Sequence, residues 1–227
     1  MNRDLSVLEA AIGYSFNNKS LLKHALKHSS YTNEKHQHKN ENNERLEFLG
    51  DAVLELVCSR FLFEKYPNKP EGVLTKERAS MVCEPALAYC AEKIDLGNYL
   101  LLGKGEELTG GRFRESITSD AMEALIGAIF IDGGFEKASA FVHMHVLELT
   151  DQKRIFFDSK TVLQEIVQSK ETEPLTYKVV DEQGPDHKKT FFVEAYIGDE
   201  LYGSGKGRTK KAAEQKAAYE AIRKLKG

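Results

Sequence analysis

The chain has 227 residues, of which 41% are hydrophobic and 30% charged, so it can build one or two globular cores. It has no apolar run of membrane-spanning length and no basic-then-apolar leader, which predicts a cytoplasmic protein with no membrane segment. The net charge of −3 hides a difference between the two halves. Residues 1–150 carry 17 Lys+Arg and 22 Asp+Glu, net −5, whereas residues 151–227 carry 15 and 13, net +2. Local charge is therefore more informative than global charge.

The first 150 residues show the apolar spacing of helices joined by short loops. Polar or glycine-rich breaks are predicted at 36–43, 66–72 and 109–114. A strongly apolar helix is predicted from Asp120 to Ile131, ending at Gly133 and Gly134, because glycine commonly terminates helices. This pattern predicts an all-α unit.

One segment of this unit, ERLEFLGD at 44–51, combines acids with an apolar helix. Glu47 and Asp51 are four residues apart and share one helix face, and Glu44 joins that face one turn earlier. The residues that follow are almost all apolar, so the helix is predicted to be buried. Buried carboxylates are costly unless compensated, and no Lys or Arg stands at offsets that would pair both acids. A hard divalent cation is the expected compensation.

A second acidic pair, Asp120 and Glu123, lies in another apolar stretch, SDAMEALIGAIF. Asp120 alone could be an N-terminal helix acid that the helix dipole favours. If the two acidic helices pack together, however, four carboxylates converge, and two like charges ~4 Å apart cost roughly 4 kcal/mol at an effective dielectric near 20. Such a cluster must bind cations or take up protons. An all-oxygen site suits Mg²⁺ or Mn²⁺ better than zinc, and these ions support phosphodiester hydrolysis by water.

The composition changes near residue 151, where a linker over 151–157 is predicted to lead into a second unit. The predicted elements are a helix over 159–170, strands over 176–181, 189–197 and 200–203, and a helix over 209–225. A glycine-rich turn precedes the last helix and carries four cations: Lys206, Arg208, Lys210 and Lys211. The backbone of this turn and the N-terminus of the helix can approach phosphates. A Lys/Arg run considered by itself, however, is more often a solvated face.

Three blocks of the first unit resemble the signatures of the ribonuclease III family: ERLEFLGD, EGVLTKERASMV at 71–82, and SDAMEALIGAIFIDGG at 119–134. The resemblance implies that four acids hold the catalytic metals, with Asp51 and Glu123 catalytic; the four are Glu47, Asp51, Asp120 and Glu123. It also implies supporting roles for Glu44 and Glu71, although a salt-bridging or capping role suits Glu44 equally well. The resemblance implies Mg²⁺ as the cofactor, with Mn²⁺ as a substitute.

The family resemblance further implies a homodimer, because the aromatic residue equivalent to Phe48 inserts into the partner subunit. Considered without the resemblance, a helical Phe among Leu and Val is more often an ordinary core residue.

Three blocks of the second unit resemble double-stranded-RNA-binding domains: DSKTVLQE at 158–165, GPDH at 184–187 and GSGKGRTKKAAEQKAA at 203–218. Such domains read A-form RNA by shape, across two minor grooves and the phosphates between them. The resemblance implies that Gln164 and Glu165 contact 2′-hydroxyls in one minor groove and His187 contacts the other. The cations Lys206, Arg208, Lys210 and Lys211 are then expected at the phosphates.

The sequence therefore predicts an all-α endonuclease domain over 1–150 and an α-β-β-β-α RNA-binding domain over 158–227. The resemblance implies Mg²⁺-dependent hydrolysis of double-stranded RNA, in ribosomal RNA precursors and structured transcripts, to 5′-phosphate and 3′-hydroxyl ends. Two alternatives stay open. A non-catalytic double-stranded-RNA-binding regulator would not need all four acids, and a nucleotide phosphohydrolase would not need the second domain.

Overall fold

The computed structural model describes residues 4–36, 38–148, 159–169, 173–184 and 189–226. The chain divides into two compact units, 1–150 and 151–227. The predicted linker at 151–157, Asp158 and His187 lie outside the described residues. Within the described part of the chain, no helix is both long and apolar enough to cross a membrane.

The first unit is helical, as predicted. Its helices are α1 (Leu5–Ile12), α2 (Lys19–Ala25), α3 (Ser29–Glu34), α4 (Glu44–Lys65), α5 (Glu71–Val82), α6 (Glu84–Lys93), α7 (Lys104–Leu108) and α8 (Glu115–Val142). Short 3-10 turns lie at Lys39–Glu41, Leu96–Tyr99 and Gly111–Phe113, and a π-helical turn at His143–Leu147 follows α8. Within this unit's described residues, β-pairing is limited to a single bridge between Lys27 and Leu101.

Helices α4 and α8 form the centre of this unit. Between Ala121 and Ile129, α8 is buried on nearly every side, whereas α4 buries one stripe that includes Leu46, Val53, Leu54 and Val57. The opposite side of α4 exposes large apolar side chains: Phe48 is 81% exposed, Leu56 57% and Phe63 74%. The prediction that α4 is buried all round is therefore wrong for the single chain. An apolar pattern predicts burial but does not say which surface provides it.

The glycine pair at 133–134 interrupts α8 rather than ending it. Gly134 has φ 79° and ψ −179°, which makes a kink, and the helix resumes after it as far as Val142. Just before the kink, Asp132 accepts hydrogen bonds from the Tyr14 hydroxyl (2.7 Å) and from the Asn17 and Asn18 backbone amides (2.8 Å each). These bonds fix the middle of α8 to the start of α2.

The second unit has the predicted α-β-β-β-α order. Its elements are α9 (Ser159–Ser169), β1 (Leu175–Gln183), β2 (Thr190–Ile197), β3 (Glu200–Gly207) and α10 (Lys210–Lys226). The strands form an antiparallel sheet in the order β1-β2-β3. A core of Val162, Leu163, Val193, Ala195, Ala217 and Ile222 joins the sheet to both helices.

Strand β3 is longer than predicted because its glycines hide its strand character. A Cβ at Gly203 would lie 2.3 Å from the carbonyl oxygen of Ala217, and one at Gly205 would lie 2.4 Å from that of Ala213. The glycines therefore let α10 pack directly against the backbone of the strand.

Candidate metal centre and nucleic-acid interface

The acidic helices cross at a contact between backbones. A Cβ at Gly50 of α4 would lie only 1.8 Å from the carbonyl oxygen of Glu123, and a Cβ at Gly127 of α8 would lie 2.2 Å from that of Leu46. Glycine is therefore required on both helices, because any side chain at either position would force them apart. Glu47 and Glu123 lie within one turn of this crossing, so their carboxylates share the same small region.

Three of the four predicted metal-binding acids converge there. Glu47, Asp120 and Glu123 each offer a carboxylate oxygen within 4.8 Å of the others, and all three side chains are partly buried. Asp51 is exposed and does not belong to this group of three, although its charge acts on both Glu47 and Glu123.

The two supporting acids lie in different places. Glu44 is exposed, and its charge acts on Glu47. Glu71 begins α5, accepts a hydrogen bond from the Thr75 hydroxyl (2.8 Å) and lines a groove with Leu56 and Arg78. The structure therefore does not bring Glu71 into the group of converging acids.

The cluster holds its protons unusually tightly. Burial, followed by the charges of Asp51, Glu47 and Asp120, raises the pKa of Glu123 to about 8. Burial, followed by the charges of Asp120, Glu44 and Asp51, raises the pKa of Glu47 to about 7. The described residues contain no Lys or Arg ion pair to any of these acids. A divalent cation would supply the missing positive charge, and the all-oxygen donor set suits a hard ion.

Two residues that are distant from Asp120 in the sequence, Glu84 and His28, influence its pKa. Its pKa is raised by burial and by the charge of Glu84, the first residue of α6, while Ser119 and His28 oppose the increase. His28 caps the N-terminus of α3, where its Nδ1 accepts from the Ser30 amide (3.3 Å), and burial lowers its own pKa. Neither residue carries a local sequence signal, because both reach Asp120 only through tertiary packing.

In the second unit, Gln164 and Glu165 are exposed on α9, as an RNA-contacting role requires. Helix α10 is fixed to the start of α9 by Lys160. Its backbone amide donates to Gln215 Oε1 (3.0 Å), and its ammonium group lies 2.5 Å from Glu214 Oε2. The two helices that carry the predicted RNA contacts therefore have a fixed spacing.

The predicted basic cluster separates into two groups. Lys210 lies 3.4 Å from Glu182 and above the ring of Phe191, whose centroid is 5.5 Å away. Lys206 instead pairs across the strands with Phe192, the residue after Phe191. Because successive residues of a strand face opposite sides of a sheet, Lys206 and Lys210 lie on different faces.

Glu182 was not predicted as part of the interface. It also binds Lys189 at 3.0 Å, and hydrogen bonds and ion pairs with Lys189 and Lys210 hold its pKa below the usual range. It is therefore charged at neutral pH and holds Lys210 beside the sheet.

Comparison with known proteins gives a family match for each of the two units. Residues 18–149 match the Ribonuclease-III-like family model, and residues 159–225 match the double-stranded RNA binding motif. The Ribonuclease 3 of Caldanaerobacter subterraneus subsp. tengcongensis is 50% identical over 226 residues, which is 97% of this chain and 98% of that protein. The Ribonuclease 3 of Oceanobacillus iheyensis is 46% identical over 221 residues, 96% of this chain and 97% of that protein.

Among solved structures, the nuclease domain of Campylobacter jejuni ribonuclease III aligns with a TM-score of 0.59 at 43% identity, covering 66% of this chain and 98% of that one. That nuclease domain has a region involved in dimer formation. The fold, the acids and these matches define an endoribonuclease with an appended RNA-binding domain. The chain belongs to the ribonuclease III family.

The helix crossing can be tested by adding a methyl group to it. Gly127→Ala should destabilise the protein by about 1–3 kcal/mol, as overpacking does, and should weaken metal binding because the helices must separate. Thermal unfolding with and without Mn²⁺ measures both effects. Gly72→Ala is the control, because a Cβ at that helical position meets no atom within 4 Å. Equal melting temperatures and metal responses for the two variants would contradict the role of the crossing.

The raised pKa values of Glu47 and Glu123 predict how stability depends on pH. Between about pH 4.5 and 8 these two groups bind more protons in the folded, metal-free protein than in the unfolded chain, so their contribution to stability falls as pH rises through this window. Melting temperatures without metal should therefore decrease from pH 6 to pH 9. Mg²⁺ should raise them more at pH 8.5 than at pH 6, and Glu123→Gln should flatten the profile. A profile unchanged by Glu123→Gln would show that the cluster is not its source.

Proposed function

We propose that the protein hydrolyses phosphodiester bonds within double-stranded RNA and leaves 5′-phosphate and 3′-hydroxyl ends. One observation carries the proposal: carboxylates from two helices converge in a chain that also contains a double-stranded RNA binding motif. A non-catalytic RNA-binding regulator would have no need for these acids, because their mutual repulsion would destabilise the protein without serving its function.

In this proposal Mg²⁺ is the cofactor, Mn²⁺ can replace it, and Glu47, Asp51, Asp120 and Glu123 hold it. Asp51 and Glu123 serve as the catalytic ligands. The bound ion would activate water, polarise the phosphodiester and stabilise the departing oxygen. Glu47 and Glu123 would give up protons when the ion binds, because their pKa values lie near neutrality. Asp51 is exposed, so its side chain is free to turn towards the ion.

The second unit supplies affinity for the duplex. Gln164 and Glu165 on α9 would contact 2′-hydroxyls in one minor groove, and His187 would contact the next. Lys210 and Lys211, at the N-terminus of α10, would bind the phosphates between these grooves, where the helix dipole adds to their charge. Lys206 and Arg208 are also RNA-binding residues in this proposal, at the neighbouring end of the sheet.

A second copy of the chain is proposed to cover the exposed side of α4. Phe48, Leu56 and Phe63 form an apolar surface there, next to a groove of ≈ 500 Å³ between α4 and α5. Phe48 of one subunit would enter the groove of the other. Glu71 lines this groove, so dimerisation would bring it near the partner's acidic helix, and Glu44 would support the acids of its own chain. Two sites in one dimer would cut both strands and leave a short 3′ overhang.

The proposed division of labour follows the two units, with catalysis in 1–150, a linker at 151–157 and RNA binding in 158–227. The proposed substrates are ribosomal RNA precursors and structured transcripts. Because these are produced in the cytoplasm of bacteria, the cytoplasm is the proposed location.

Cleavage and binding should be separable by substitution. Glu123→Gln should keep duplex affinity and lose cleavage by at least about 100-fold, because the amide preserves shape but removes a metal-binding charge. Lys210→Ala with Lys211→Ala should weaken binding about equally for all duplex sequences and lower its salt slope by roughly 1 per lysine. Cleavage in Mg²⁺ and binding in Ca²⁺ at several salt concentrations measure the two effects.

Glu136→Gln, at an exposed position of the same helix α8, is the matched control and should leave both properties unchanged. Near wild-type cleavage by Glu123→Gln would refute the metal site. Wild-type affinity and salt slope in the double lysine variant would show that the lysines are only a solvated surface.

Dimer formation is predicted to depend on Phe48. Phe48→Ala should weaken the dimer by about 2 kcal/mol or more, as loss of an aromatic hot spot does, without reducing the stability of the isolated subunit. Sedimentation at micromolar concentration should then show monomer where the wild type is dimeric. Phe113→Ala is the control, because Phe113 is 78% exposed elsewhere in the same unit. If both variants sediment like the wild type, the α4 surface is not the interface.

A further inference from the structure

One face of the sheet carries a basic groove in which Phe192 and Lys216 have no role in the proposed duplex contacts. In β2, Phe191 and Val193 face the helices, and Val193 is fully buried. Phe192 lies between them and faces the opposite side, which the helices leave uncovered. Its cross-strand partner in β3 is Lys206, so an aromatic ring and a cation are neighbours on that face.

The groove around Phe192 has a volume of ≈ 560 Å³. It is lined by Gln183, Thr190, Phe192, Lys206, Arg208 and Lys216, together with Gly184 and Gly207. Lys216 belongs to α10, but its Cβ lies close to strand β3. A Cβ added at Gly205 of that strand would be 2.7 Å from the Cβ of Lys216. Cations from a strand, a turn and a helix therefore surround one aromatic ring.

These cations are available to bind a ligand. Within the described segments, Lys206, Arg208 and Lys216 take part in no ion pair, in contrast to Lys210 on the other face. Among the residues that the structure describes, no acid lines the groove. The nearest acid in register is Asp181, opposite Phe192 on β1, and it accepts a hydrogen bond from Gln183 Nε2 (2.6 Å).

An aromatic ring surrounded by unpaired cations suits single-stranded nucleic acid. An unpaired base can stack on the ring while the cations bind the flanking phosphates, and Gln183 and Thr190 offer hydrogen bonds to base edges. The bases of a duplex are already stacked and paired, so a duplex gains little from such a ring. We propose that this groove binds a single-stranded RNA segment that continues from the duplex held by the helices. The inference rests on the proposed function only in that the second unit must bind the duplex from which the single strand continues.

The experiment uses the full-length protein in Ca²⁺ and three labelled RNAs: a blunt duplex, the same duplex with a tail of about eight uridines, and the free uridine strand. A tail of this length is within the range of known single-strand binding sites. The tail should raise the affinity of the wild type at least about fivefold, the lower limit for stacking of one base. Phe192→Thr should abolish most of this gain, since Thr keeps strand propensity but offers no ring. Lys216→Gln should reduce the gain, and both variants should bind the blunt duplex like the wild type.

Lys178→Gln is the matched control. Lys178 lies on the same uncovered face of the sheet as Phe192. Its Nζ is 4.5 Å from the centroid of the Tyr196 ring, and Lys178 does not line the groove. Its loss removes the same charge and should preserve the gain from the tail. The proposal is overturned if the wild type gains nothing from the tail, if both groove variants keep the gain, or if Lys178→Gln loses as much as Lys216→Gln. Failure of the wild type to bind the blunt duplex would contradict the proposed function instead, and the free strand would still decide whether the groove binds RNA.

Discussion

The close crossing of α4 and α8 at Gly50 and Gly127 is the constraint on which the candidate site depends. Because the backbones of the two helices touch, carboxylate oxygens of acids more than 70 residues apart in sequence come within 4.8 Å of one another. Burial and, after it, mutual repulsion oppose this arrangement, and together they raise the pKa values of Glu47 and Glu123. The buried apolar residues of both helices stabilise the crossing, so the fold holds together charges that would otherwise separate.

The same charges explain why catalysis and RNA affinity belong to different units. The first unit is net negative, and its acid cluster repels a phosphate backbone until cations bind. The second unit is net positive and has a group of cations at one end of the sheet and at the N-terminus of α10. Affinity for RNA therefore does not require positive residues beside the converging acids, where they would compete with a bound cation.

Helix α4 serves two surfaces at once. One side forms the core with α8, with the acids at the edge of that contact, and the other side exposes Phe48 and Phe63. Any protein that covers this exposed side must approach the acids closely. Assembly of the proposed dimer and completion of the site are thus coupled through a single rigid helix.

Local spacing by itself determined much of this protein. The helical positions of Glu47 and Asp51, the apolar stretch around Glu123 and the α-β-β-β-α order were all predictable, because each depends on residues a few positions apart. Non-local geometry decided the rest. Only the tertiary structure grouped Glu47 with Asp120 and Glu123 while Asp51 stayed exposed, left Phe48 uncovered, and put Lys206 and Lys210 on opposite faces. These features depend on a helix crossing and on strand register, which are set by packing between segments distant in sequence.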